Sequence, residues 1–272
     1  MIHVTTTEMR ALAQFVMQIS GIVLDDSKTY LVESRLAPLL EEEGCQSYAE
    51  LHNKTRHNVN LTNRLIDAIT TNETSFFRDK KPFDFFYEKI LPDFATNQQC
   101  RGRLKVWSAA CSTGQEAYSL AMLAKEFQLR QRSGLTLQIV GTDIADSVLA
   151  RAKEGNFSRH EVMRGIPSPF LEKYFRREGE RYVIHEDLRA MTFFQKVNLL
   201  KPFTELGKFD VICCRNVAIY FGLEDRKMLF RRLQLQLQPW GILLVGTTES
   251  LFGISEGFVR KEWNQIAYYQ HK

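Results

Sequence analysis

The stretch from Leu104 to Met122 constrains this chain more than any other. A short apolar run (Leu104, Val106, Trp107) predicts a buried parallel strand. It ends in small residues, Ser108-Ala109-Ala110-Cys111-Ser112-Thr113-Gly114, and a helix follows with Tyr118, Leu120, Ala121, Met122 and Ala124 at helical spacing. Strand, tight small-residue turn and helix form the opening unit of a doubly wound nucleotide-binding sheet. Small side chains let a ligand lie against the backbone, and helix-start N–H groups attract carboxylate or phosphate. With one glycine, the turn does not carry the G-x-G-x-x-G dinucleotide pattern, and by itself it also fits an ordinary strand-to-helix connection.

The region before this unit reads differently. Thr5-Thr6-Thr7-Glu8 predicts a capping box opening a helix with Leu12, Phe15, Val16 and Ile19 on its buried stripe, stopped by Gly21. A second helix is expected from about Ser27 to Glu43, with Lys28 and Arg35 on its polar side; Ser47 and Glu50 cap a third, and Leu61, Leu65, Ile66 and Ile69 mark a fourth. Residues 1–71 therefore form an all-helical domain, and 72–97 a linker and connecting helix. Residues 98–272 form the strand-containing domain. Within it, Leu137–Val140 is a second strand, Phe209–Cys214 a strongly apolar one and Trp240–Gly246 another. Asp225–Leu237 is helical and ended by Pro239; Phe258–Arg260 and Ile266–Tyr269 make a terminal hairpin. Tyr174-Phe175, Arg181–Ile184 and Met191–Phe194 read as three short strands of a small antiparallel insert at about 165–195, and Val197–Leu200 as the end of a sheet strand.

Bulk properties narrow the function classes. A chain of 272 residues, 44% hydrophobic and 25% charged, builds a sizeable core and fits one large domain or a small domain plus a larger one. The net charge of +4 is a mild excess that tolerates an acidic partner without requiring nucleic acid. Five cysteines form no C-x-x-C pair and read as reduced thiols, and the scattered histidines suggest no metal site. No signal-peptide pattern or membrane-length apolar run is present, so a soluble cytoplasmic protein is expected.

Ligands of open parallel sheets sit at the carboxyl ends of the strands. Polar residues collect there: Gln115 and Glu116 after the first strand, Asp143 after the second, Asn198 after the third, Arg215 and Asn216 after the fourth. A carboxylate after the second strand suits a ribose diol, although Asp143 would equally serve as a helix cap. A second carboxylate, Glu116, repels a polyphosphate and suits a sulfonium or ammonium ligand. That favours S-adenosylmethionine over NAD or ATP, and no P-loop Lys-Ser/Thr is present.

Together, TNETSFFRD, WSAACSTGQEAYSLAM, GTDI, VNLL and FDVICCRNVAIYF resemble the CheR family of chemotaxis receptor methyltransferases, over nearly the whole chain. The resemblance implies an α/β class I methyltransferase fold, a Rossmann-like doubly wound sheet with a small antiparallel β insert, behind a helical N-terminal domain. It implies methyl transfer from S-adenosylmethionine to glutamate side chains of chemoreceptors, giving methyl esters and S-adenosylhomocysteine. By motif, Asn72, Thr74, Arg78, Glu116, Asp143, Asn198, Leu199, Arg215 and Asn216 would bind the cofactor. Among them Glu116 would stand near the methionine amino group, Asp143 at the ribose and Asn198-Leu199 near the adenine. Arg78 and Tyr220 would stand at the reacting centre, and Lys28 and Arg35 would face the receptor's cytoplasmic helical domain. The expected protein is a monomer without nucleic-acid partner, metal or membrane insertion. Gln115-Glu116-Ala117 departs from the two acidic residues and proline of many members, and Ala218 from a larger aliphatic residue, without removing a ligand group. Two other classes stay open: a non-catalytic S-adenosylmethionine-binding signalling module, and a nucleic-acid methyltransferase. The latter lacks its Asn/Asp-Pro-Pro-aromatic motif, since Arg215-Asn216-Val217 stands near that place.

Overall fold

The Thr5–Glu8 capping box opens α1 (Thr6–Ser20): the Thr5 hydroxyl accepts from the Glu8 N–H while the Glu8 carboxylate accepts from the Thr5 N–H. Gly21, at φ 77°, closes it in the left-handed conformation that spares glycine a Cβ clash. The computed structural model describes residues 2–272. Helices α2 (Thr29–Glu42), α3 (Tyr48–Arg56) and α4 (Val59–Ile69) complete a helical unit around Val16, Leu36, Leu51 and Leu65. Asp26–Lys28 forms one 3-10 turn before α2, so the predicted second helix starts as a tighter coil.

The connecting helix runs as α5 (Lys81–Phe85), a wider π-type turn (Phe86–Ile90) and α6 (Leu91–Thr96). Pro92, which has no N–H to continue the i→i−4 ladder, lies just past the widened turn. Then strands and helices alternate: β1 (Arg103–Ala109), α7 (Gln115–Gln131), β2 (Thr136–Asp143), α8 (Asp146–Glu154), β3 (Asn156–Ser158), α9 (Arg159–Met163), α10 (Ser168–Tyr174), β4 (Phe175–Glu178), β5 (Arg181–Ile184), α11 (Glu186–Arg189), β6 (Thr192–Lys196), β7 (Phe209–Cys214), α12 (Leu223–Gln236), β8 (Leu237–Val245), β9 (Phe258–Trp263) and β10 (Ile266–His271).

The main sheet has seven strands in the order β6-β2-β1-β7-β8-β10-β9. The first five are parallel; β10 runs antiparallel to β8 and to β9. The order reverses between β1 and β7, so their carboxyl ends form the switch-point crevice of a doubly wound sheet. Trp107 is fully buried opposite Val140 and Ile212, and its indole N–H donates to Thr142 Oγ1 at 2.9 Å.

Three elements depart from the sequence expectation. Met191–Phe194 is not a strand of the insert. Thr192–Lys196 is β6, the outer parallel strand of the main sheet, so the third sheet strand ends at Lys196 and Val197–Leu200 is the loop after it. The small sheet is β3-β5-β4, and its third member, Asn156–Ser158, precedes the expected insert. Pro239 does not end α12: the strand begins at Leu237, and Pro239 falls where the β7–β8 register slips between Phe209/Leu237 and Val211/Ile242, a place where a missing N–H is tolerated.

The helical unit docks beside the crevice. Ile22 makes a β-bridge with Phe221, the Val23 N–H donates to the Tyr220 carbonyl (2.9 Å), and Asn198 Nδ2 donates to the Ile19 carbonyl (2.7 Å).

Candidate active site

A cleft of about 240 Å³ opens at the carboxyl ends of the central strands, between them, the linker and the helical unit. Its sheet side starts with the turn after β1. Ala110 and Ser112 both adopt left-handed backbone, φ 59° and 51°, without being glycine. Such residues persist where their surroundings hold them. Here the Ser112 N–H donates to Asp143 Oδ2 (2.9 Å) and the Ser112 hydroxyl donates to the Asn72 carbonyl (3.0 Å). The other Asp143 oxygen accepts from the Ala145 N–H at 3.1 Å. Burial pushes the Asp143 carboxyl above its ordinary range, outweighing the backbone N–H groups from Ala145 and Ser112 that favour the anion.

At the end of β7, Arg215 is 7% exposed and spreads over three acceptors. Its Nη1 donates to Glu116 Oε2 (2.8 Å); its Nη2 donates to Asp79 Oδ2 (2.9 Å) and to the Arg78 carbonyl (2.8 Å). The Ser108 hydroxyl donates to Glu116 Oε1 at 2.7 Å. Burial opposes the Arg215 charge, and Glu116 and Asp79 more than offset it, raising its pKa. Asn216 follows at φ 58°, its N–H donating to Glu249 Oε2 (2.7 Å), which also accepts from the Gly246 N–H at 2.7 Å.

Asn72, Thr74, Arg78, Glu116, Asp143, Asn198, Leu199, Arg215, Asn216 and Tyr220 all line this one cleft. The Arg78 guanidinium folds back to donate to the Glu73 carbonyl (2.8 Å). Asn198 is partly spent on structure: besides its bond to Ile19, its Oδ1 accepts from the Leu200 N–H at 2.9 Å. The expected receptor-facing pair is divided. Lys28 lines the cleft mouth, whereas Arg35 is turned into the chain and donates to the Ile69, Thr70 and Thr71 oxygens, at 2.6 Å for Ile69. Its forked guanidinium finds three acceptors where α4 runs into the linker. Sequence reasoning missed Ser108, Ser112, Asp79 and Glu249, and the apolar cleft wall of Ile22, Leu24 and Leu31. Asp79 ends the motif TNETSFFRD, but its partner Arg215 lies far away in the chain, as does Asn216, which Glu249 holds together with the nearby Gly246.

The donor set fits S-adenosylmethionine. Glu116 and Asp143 place two carboxylates at the strand ends of the cleft, and these suit a sulfonium and an ammonium. Each Asp143 oxygen keeps a lone pair beyond its backbone bond, available to a ribose hydroxyl. The turn from Ala110 to Gly114 presents small side chains along which a nucleoside can lie. Cys111 lines the cleft too, but burial, then Asp143 and Glu116, push its thiol well above its ordinary pKa, so it offers no thiolate. Among the described residues no cluster able to hold a metal ion occurs.

Comparison with known proteins agrees on both halves of the chain. Residues 7–70 match the CheR methyltransferase all-alpha domain, and residues 72–265 the CheR methyltransferase SAM-binding domain. The chain is 36% identical to "Chemotaxis protein methyltransferase Cher2" of Pseudomonas putida over 95% of each chain. It is 38% identical to "Chemotaxis protein methyltransferase 1" of Pseudomonas aeruginosa over 90% of each. To the protein of that same name in Vibrio cholerae it is 37% identical, over 100% of this chain and 99% of the relative. A helical unit, a doubly wound sheet with a small antiparallel insert, a crevice at the switch point that carries Glu116 and Asp143, and two adjoining domain matches place this chain in the CheR methyltransferase family.

Proposed function

We propose that the protein transfers the methyl group of S-adenosylmethionine to glutamate side-chain carboxylates on the cytoplasmic helical domain of chemoreceptors, giving glutamate 5-O-methyl esters and S-adenosylhomocysteine. The observation that carries this reading is the placing of Arg78 and Tyr220 on the same cleft as Glu116, Asp143 and Asn216. The names of the relatives, each a chemotaxis protein methyltransferase, support the receptor as substrate. The cytoplasm is the compartment this substrate requires, and no helix among the described residues is long and apolar enough to cross a membrane. We keep the division into 1–71, 72–97 and 98–272, with the protein acting as a monomer.

When bound, S-adenosylmethionine supplies an electrophilic methyl group on a sulfonium. Glu116 and Asp143 hold the cationic and ribose portions against the sheet edge. Arg78 releases the Glu73 carbonyl and orients the acceptor carboxylate through a charge-assisted hydrogen bond. A glutamate is already ionised at neutral pH, with a pKa of about 4.3, so no general base is required. Carboxylate and sulfonium neutralise each other as they react, so alignment and exclusion of water carry the rate. Ile22, Leu24 and Leu31 supply the apolar wall, Tyr220 bounds the channel, and Lys28 at the mouth draws in the acidic acceptor. Arg35, on the same receptor-facing side, also ties α2 to the linker joint.

The test is methyl-labelled S-adenosylmethionine with this protein and receptor cytoplasmic fragments. Label that enters the receptor and leaves as methanol in mild base establishes the ester, and Arg78→Ala then lowers turnover by about 100-fold. Cofactor binding with no label on any receptor overturns the enzyme reading in favour of a binding module, and label on nucleic acid overturns the substrate.

A further inference from the structure

Asp79 does not line the cleft, yet it bonds the buried guanidinium that does. Arg215 Nη2 is shared between Asp79 Oδ2 (2.9 Å) and the Arg78 carbonyl (2.8 Å), while Nη1 goes to Glu116 (2.8 Å). The Arg215 side chain is 3% exposed and Asp79 32%, so the pair sits at the rim with its cation inside. The segment around it is bent against its preference. Phe77, Asp79 and Lys80 adopt φ of 50°, 67° and 34°, and none is glycine. Three such residues within four positions need outside contacts to hold them.

Those contacts lie on both sides of Arg78. Before it, Phe76 is buried between Phe157 (4.9 Å, edge-on) and Phe175 (5.6 Å, edge-on) of the small sheet. A Cβ on Gly165 would come within 2.2 Å of the Phe76 carbonyl, so the insert and the linker touch at backbone distance. The Phe77 N–H donates to Ser119 Oγ at 3.0 Å. After it, Pro82 and Phe83 are buried at the start of the connecting helix. Between these anchors, Arg215 is the group that draws the main chain of Arg78 and Asp79 toward the sheet.

We propose that Asp79 is a positioning residue: by pairing with Arg215 it straps the linker across the sheet edge and sets where Arg78 reaches into the cleft. The inference rests on the reading of Arg78 as the group that meets the acceptor. Asp79 touches neither cofactor nor acceptor; it acts through Arg215, which Glu116 fixes from the other side. The same guanidinium thus joins the cofactor pocket to the strap.

The experiment uses the full chain carrying Asp79→Ala or Asp79→Glu, read in three ways: tryptic cleavage of the native protein after Arg78 and Lys80, kcat and KM for methyl transfer, and thermal unfolding. Asp79→Ala is expected to be cut in the linker about ten times faster with its thermal midpoint held, because only the local opening changes. Its kcat is expected to fall roughly 10- to 100-fold, with the KM for S-adenosylmethionine moved far less. Asp79→Glu restores part of both. Unchanged linker cleavage in Asp79→Ala overturns the strap, whatever turnover does, and so does faster cleavage with unchanged kcat. The cleavage arm needs no receptor: if the wild-type protein methylates none, the receptor reading fails while cleavage still decides the strap.

Discussion

The two walls of the cleft are built on different principles. The sheet wall comes from strand ends in the middle of a seven-stranded sheet, and its polar groups are bonded to one another: Arg215 to Glu116, Ser108 to Glu116, the Ser112 N–H to Asp143. The helical wall is mostly apolar and is held by a few long-range bonds: Val23 N–H to Tyr220, Asn198 to Ile19, and the Ser147 N–H to Asp67 Oδ2. Acidic side chains outnumber basic ones in the first 70 residues, whereas the remainder is basic overall. The contrast separates two jobs. A cofactor of constant shape is met by a wall whose dipoles are set before it arrives. In the proposed function, an acceptor presented on a large partner approaches past a wall that only a few bonds hold in place.

Arg215→Ala breaks the sheet wall hardest. It strands Glu116 without its cation, and about 3–5 kcal/mol of stability is lost with cofactor binding, as read by urea unfolding and calorimetry. A loss near that of an exposed pair means the sheet wall is not organised by charge. Asn198→Ala tests the helical wall. It removes two hydrogen bonds and costs about 1–3 kcal/mol, and the loss appears as faster amide exchange in α1 rather than in β1 or β7. Uniform loss of protection across both walls erases the distinction drawn between them.

Acid titration sharpens the comparison. The Asp143 carboxyl is raised in the folded state, so folded protein takes up a proton where the unfolded chain is still ionised. This group therefore adds stability as pH falls through its folded pKa, and that stability is lost as pH rises through it. With Asp143 in its proposed place at the ribose, cofactor affinity moves the opposite way, because two O–H donors favour the anion. The expected result is S-adenosylhomocysteine binding that weakens on acidification above the usual aspartate range, a dependence absent in Asp143→Asn. Where Glu126 of α7 accepts from Lys173 and Tyr174 of α10, both at 2.6 Å, the sign reverses. Burial opposes the Glu126 charge, but hydrogen bonds from Lys173 and Tyr174 prevail and lower its pKa. Its contribution is present above the unfolded pKa and fades as pH falls through the folded value. Glu73→Gln should do least. The Glu73–Arg164 pair is 59% and 53% exposed, so stability changes by less than about 1 kcal/mol in the same unfolding assay.

The elements that were legible in the chain are those whose cause is local. The Thr5–Glu8 capping box, the Gly21 stop and the Ser47 cap each involve a contact within about one helical turn, and each appears as expected. The apolar runs at Leu104 and Phe209 could only be buried strands. What was misread depends on choice of partner. Thr192–Lys196 and Arg181–Ile184 look alike as short strands, and only pairing sends one to β2 and the other to β3 and β4. That Arg35 also ties α2 to the start of the linker had no local signal, because the carbonyls it meets are more than thirty residues away.

The four-helix start, the core strands at Leu104, Leu137, Phe209 and Trp240, the polar residues at the strand ends and the family motifs follow from the sequence, because periodicity, turn chemistry and residue type are properties of neighbours in the chain. The tertiary structure decided which of those residues are free to meet a ligand and which are already spent. Asp143 anchors the turn at Ser112, Asn198 ties down α1, and Arg215 draws in a linker that precedes it by more than 130 residues. A hydrogen bond or ion pair between distant segments depends on how the sheet brings their backbones together, and no local pattern encodes that distance.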